Sequence, residues 1–102
     1  MKSSGLQKKP KLLIARRVSG NSMLPVLSPG HIVLASSLFR PKLGRLVIVR
    51  HDGREKIKRL SKIDGTRMYI LGDNPGESTD SRQFGWIDND SIIATVIWTS
   101  KF

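Results

Sequence analysis

Three segments of this 102-residue chain carry the side chains best suited to chemistry: one around Ser22, one around Lys58, and a polar stretch from Gly72 to Gly85. Ser22 lies in Val18-Ser-Gly-Asn-Ser-Met-Leu-Pro-Val-Leu27, with Gly20 before it and apolar Met23 and rigid Pro25 after it. A nucleophilic hydroxyl needs such a setting, because backbone N–H groups must converge beside it to hold an oxyanion while the side chain keeps one rotamer. Lys58 lies in Glu55-Lys-Ile-Lys-Arg-Leu60, where Ile57 and Leu60 bracket a lysine that can be drawn into the interior. A desolvated lysine gives up its proton more readily, and the neutral amine can take one from a hydroxyl. In the third segment Asp73, Asn74, Pro75 and Gly76 turn the chain. Ser78, Asp80 and Arg82 then alternate, so they point the same way if that stretch is extended. A hydroxyl beside an internal Asp80–Arg82 ion pair is a means of buttressing a site. Each segment also has a plainer reading: a turn serine, a solvated strand lysine, an Asx-rich surface loop.

Strands must hold these residues in place. Apolar, β-branched runs recur at Leu12–Val18, Ile32–Ala35, Leu46–Arg50, Glu55–Leu60, Met68–Leu71 and Ile92–Trp98, each bounded by turn signals. His51-Asp-Gly-Arg54 reads as a hairpin turn and Asp64-Gly-Thr66 as another. No segment keeps a 3.6-residue apolar period for about ten residues, apart from a short turn near Ser36–Phe39. The pattern predicts a small, coiled, antiparallel, mainly β domain over residues 12–102, preceded by a flexible basic arm over 1–11 that has too little apolar content to pack. Ser22 then follows the first strand, and Lys58 sits on a central one.

Composition narrows the function classes. The chain is long enough for one modest core. It has no cysteine, so disulfides and thiolate metal sites are excluded. No apolar run approaches the ~20 residues of a membrane-crossing helix, and Leu12–Ala15 is too short for a signal-peptide core, which leads us to expect a soluble, cytoplasmic protein. The net charge of +10 is uneven, with fifteen Lys and Arg against two acids in residues 1–62 and three against six in 63–102. That asymmetry suits an acidic partner, an anionic membrane or a nucleic acid. The six aromatic residues are not interleaved with the basic run, so no nucleic-acid partner is expected. His31 and His51 lack companions at metal-ligand spacing, so neither a metal nor a cofactor is expected.

Twelve serines and nine lysines leave spacing alone unable to choose a pair. The flanking residues choose: Ser22-Met-Leu-Pro25, Lys58-Arg59 and Gly72-Asp-Asn-Pro-Gly-Glu-Ser-Thr-Asp-Ser-Arg82 resemble the serine, lysine and closing boxes of the signal peptidase I family of Ser/Lys serine proteases, over Val18 to Gly85. The resemblance implies the mainly β fold shared by signal peptidases and self-cleaving repressor proteases. It implies Ser22 as nucleophile, Lys58 as general base, and Ser78 as the hydroxyl that aims the Lys58 amine. It implies the Ser22 N–H as an oxyanion donor, with Gly20 standing where many members have a serine. Asp80 and Arg82 become structural supports, Asp73 and Asn74 shapers of the turn, and Arg59 points away from Lys58. Met23, Ile32 and Leu34 are candidates to line a groove that takes the substrate as an added strand.

Family members are usually anchored by transmembrane helices, and this sequence has none, so it looks most like the proteases that trim an N-terminal propeptide from soluble precursors of nickel-type superoxide dismutase. The partner expected is such a precursor. The alternatives are a peripheral signal peptidase acting on exported preproteins, a self-cleaving repressor-type switch, and a nucleic-acid- or protein-binding module on the same fold. The switch requires a DNA-binding domain and a cleavage loop, which the first eleven residues do not supply.

Overall fold

The computed structural model describes residues 10–100. The longest buried strand, Leu46–His51 (β3), explains the architecture best. Leu46 through Val49 are all buried, with no alternation, because β3 has neighbours on both edges and apolar side chains on both faces. Leu46 and Ile48 join one core with Ile14, Val18, Met23, Leu27, Val33 and Val96. Val47 and Val49 join another with Leu60, Met68, Ile70 and Ile87.

Around β3 the described residues build a seven-stranded, wholly antiparallel sheet. The other strands are β1 (Ile14–Arg17), β2 (Ile32–Ser36), β4 (Arg54–Asp64), β5 (Arg67–Leu71), β6 (Ile87–Asp88) and β7 (Ile92–Thr99), in the order β1-β2-β7-β3-β4-β5-β6. The only α-helix among the described residues is α1 (Ser81–Phe84), and single 3₁₀ turns occupy Pro75–Glu77 and Asn89–Ser91. Register shifts at Leu34/Ala35, Ile48/Val49 and Leu60/Lys62 add the local twist that coils the sheet. This is the mainly β, coiled antiparallel fold expected from the strand runs.

Some boundaries differ from expectation. β1 is shorter, because Leu12 and Leu13 are exposed. β4 runs on to Asp64, since the shift after Leu60 lets its polar end pair with β5. The basic arm was expected to end at residue 11, yet Lys11 already exchanges hydrogen bonds with Ser37 (2.8 and 2.9 Å). Residues 1–9 of that arm lie outside the described residues. The β3–β4 hairpin turns on Asp52 and Gly53, both at positive φ (54° and 75°), which is the two-residue geometry that matches strand twist.

One pairing detail shapes the site. β5 pairs with β4 only from Arg59 onward, so among the described residues the Arg54–Lys58 stretch of β4 is laddered to β3 alone. Among the described residues β1 is laddered only to β2. Two strand edges thus lie open, and the site forms between them.

Candidate active site

The loop from β1 to β2 carries Ser22. Val18 N–H donates to His31 O and Gly30 N–H to Val18 O, both at 2.8 Å, so the loop is closed at its base. Met23 and Leu27, 2 % and 1 % exposed, are pinned in the core and set the backbone on either side of the turn. Asn74 ties the loop from outside: its N–H donates to Ser22 O (2.8 Å) and its side-chain amide to Asn21 O (3.0 Å). Asn74 therefore couples two segments that lie 53 residues apart at Asn21, beyond the turn-shaping role expected of it. Gly20 has φ +75°, the left-handed region that glycine enters without strain.

Lys58 is only 3 % exposed and stands opposite Val47 in the β3–β4 ladder. Its Nζ donates to Ser78 Oγ (2.8 Å), and Ser78 Oγ donates to Asp80 Oδ2 (2.6 Å). Asp80, fully buried, also accepts from Gly72 N–H (2.7 Å), Arg82 N–H (3.1 Å), Arg82 Nε (2.9 Å) and the Arg82 terminal nitrogen. Burial pushes the Asp80 carboxyl up, but the hydrogen bonds from Arg82, Gly72 and Ser78 outweigh it and hold the group well below the usual carboxylate range.

An ionised carboxylate only accepts, so the single Ser78 proton is committed to Asp80. Ser78 then meets Lys58 solely as an acceptor. The amine spends one N–H on Ser78, and in its neutral form its lone pair is left for another donor. Burial pushes the Lys58 amine below the ordinary lysine value; Asp80 opposes this, while Lys56 and Arg82 act with burial.

The alternation expected of Ser78, Asp80 and Arg82 fails after Asp80. Asp80 is the N-cap of α1, its side chain accepting from the Arg82 N–H, while Gln83 Oε1 accepts from the Asp80 N–H (2.8 Å). One helical turn swings Arg82 back onto Asp80, so the ion pair forms by capping geometry and not by strand parity. Asp73 is held by Arg59 through both oxygens (2.9 and 2.7 Å), and Arg59 also donates to Gly44 O.

Ser22 and Lys58 both line a cavity of about 290 Å³ bounded by β1, the serine loop, β4 and the loop carrying Glu77 and Thr79. Met23 reaches its wall; Ile32 and Leu34 do not, because they lie on the face of β2 away from buried Val33 and Ala35. His31 accepts from Ser28 N–H, and His51 stacks on Phe84 at 3.8 Å. No three His, Asp or Glu side chains converge among the described residues.

Gly72, the first residue of the closing box, had no role assigned from sequence. A Cβ there would fall 2.1 Å from Ser78 Oγ and 2.8 Å from Ser22 O, so its bare backbone is what lets the lysine support and the serine loop pack together. Its place at the head of the box was the available signal.

A small, mainly β domain with a serine and a desolvated lysine on one cavity is the form taken by serine peptidases and self-cleaving repressors. The chain belongs to the Peptidase S24-like family, whose model matches residues 1–97. No curated protein matches it.

Proposed function

We propose that the protein is a serine endopeptidase with Ser22 as nucleophile and Lys58 as general base, and that it removes an N-terminal propeptide from a soluble precursor. The observation that carries this reading is the buried Lys58–Ser78–Asp80 chain of hydrogen bonds, held from outside by Arg82 and ending at the cavity that Ser22 lines. The neutral Lys58 amine takes the Ser22 proton as the oxygen attacks the scissile carbonyl. The oxyanion is held by the Ser22 N–H, and the Lys58 ammonium returns the proton to the leaving amine. Water then attacks the acyl-enzyme, with Lys58 again as base. The substrate lies between the open edges of β1 and β4, paired by its main chain. Resemblance to the maturation proteases makes nickel-type superoxide dismutase the precursor of choice.

The test is incubation with that precursor, followed by mass spectrometry of the new N-terminus. Ser22→Ala and Lys58→Arg, each shown folded by circular dichroism, should lower the rate by at least about 100-fold, since guanidinium cannot serve as base. Native-rate processing by Ser22→Ala overturns the assignment. Cleavage confined to preproteins in lipid vesicles replaces propeptide removal with peripheral signal peptidase activity.

A further inference from the structure

The catalytic cavity ends at an ion pair. Arg16 on β1 and Glu55 on β4 meet through two bonds, Nε to Oε1 at 2.6 Å and the terminal nitrogen to Oε2 at 3.0 Å, bridging the two open strand edges. Beyond them lies a second hollow, of about 790 Å³, and Arg16 and Glu55 line both. The pair is thus a partition within one trough. It is also loosely held, since the two side chains keep 43 % and 27 % of their exposure, and pairs of that kind contribute little to stability.

The charges around the partition favour one ligand chemistry. In the catalytic cavity Arg16, Arg17, Arg54 and Lys56 face Glu55 and Glu77, apart from Lys58 itself. In the second hollow Lys11, Arg16 and Arg50 face Glu55 and Asp90. Glu55 already draws Arg50 (3.4 Å) as well as Arg16, so one carboxylate serves two guanidiniums. Its carboxyl is held below the ordinary value, chiefly by the bond from Arg16. A peptide strand running between β1 and β4 must pass this pair, and a carboxylate it carries can replace Glu55 on the planar guanidinium with the same two-pronged geometry.

We infer that the hollow beyond Arg16 and Glu55 is a second substrate subsite, which takes an aspartate or glutamate side chain of the substrate strand on Arg16 at a fixed distance from the bond to be cut. The inference rests on the peptidase reading, because it assumes that a peptide occupies the trough.

Binding separates the two. The Ser22→Ala chain is titrated into fluorescein-labelled alanine-rich peptides, each with one glutamate at a different position, and into their glutamine counterparts, with fluorescence anisotropy as readout. One glutamate position should bind about five- to tenfold tighter than its counterpart, and added salt should erode the gain. Arg16→Gln should abolish that gain, and Glu55→Gln should preserve or enlarge it. Arg67→Gln, which removes the same charge at the far end of the sheet, should leave it intact. Equal affinity for glutamate and glutamine peptides, including no measurable binding of either, overturns the subsite. So does a gain that is the same at every position and falls equally in Arg16→Gln and Arg67→Gln, which is general attraction to a basic chain. Whether the wild-type chain cuts the same peptides is read separately and decides the catalytic assignment, not the subsite.

Discussion

Asp80 and Asp73 sit in one loop, and each is gripped by an arginine through both carboxylate oxygens, yet their surroundings differ. Asp80 is fully buried, and beyond Arg82 it accepts from the Gly72 backbone and the Ser78 hydroxyl. Asp73 is part-exposed, and Arg59 is the partner it shows, near the protein surface. The same pairing therefore has two consequences. At Asp73 it latches a loop at little cost to either ion's hydration. At Asp80 it fixes the direction of every hydrogen bond leading to Lys58, because a buried carboxylate held ionised leaves Ser78 no choice of acceptor.

Removing the buried member should have the largest effect. Asp80→Ala strands the Ser78 hydroxyl, the Gly72 N–H and Arg82 together, and should cost about 3 kcal/mol in urea denaturation. The acid limb of stability should change with it. The folded Asp80 carboxyl lies below its unfolded value of about 3.9, so its contribution is complete above that pH and is lost as pH falls toward the folded value. Asp80→Asn should flatten this limb. Next comes Gly72→Ala, whose new Cβ overlaps Ser78 Oγ and Ser22 O. It should cost about 1–3 kcal/mol and lower turnover more than substrate affinity, because it displaces the support of Lys58. Smallest is Asp73→Ala, at about 1 kcal/mol, with turnover within a few-fold of wild type. If Asp73→Ala proves as damaging as Asp80→Ala, burial is not what separates the two pairs.

The strands were legible because their cause is local. Leu46-Val-Ile-Val49 is too apolar for any setting but a central strand, and Asp52-Gly53 names its own turn. β6 escaped notice because two residues, Ile87 and Asp88, carry no period. The placement of β7 between β2 and β3 is a long-range choice that no local pattern encodes. At the site, Ser22 and Lys58 were singled out by their flanking boxes, while the contacts that join the segments were not visible. Asn74 reaches the serine loop, and Gly72 lets Ser78 pack beside it, through contacts between segments far apart in sequence. The Asp80-Ser-Arg-Gln83 capping box was readable in principle, but a one-turn helix carries no apolar stripe to announce it. The groove assignments of Ile32 and Leu34 followed strand position without the facing, which the sheet order decides.

The proposed reaction requires Lys58 to work as a neutral amine. Burial lowers its proton affinity and Asp80 partly restores it, so the balance belongs to the folded site. The most direct measurement is the titration of Lys58 itself by NMR of the ¹³Cε-lysine protein, assigned by its absence in Lys58→Arg and set beside the pH dependence of kcat/KM. Lys58 should lose its proton below the ~10.4 of a free lysine, and activity should rise with pH through that same transition. A Lys58 that titrates at the free-lysine value while the protein cleaves its substrate at neutral pH would contradict the proposed reaction.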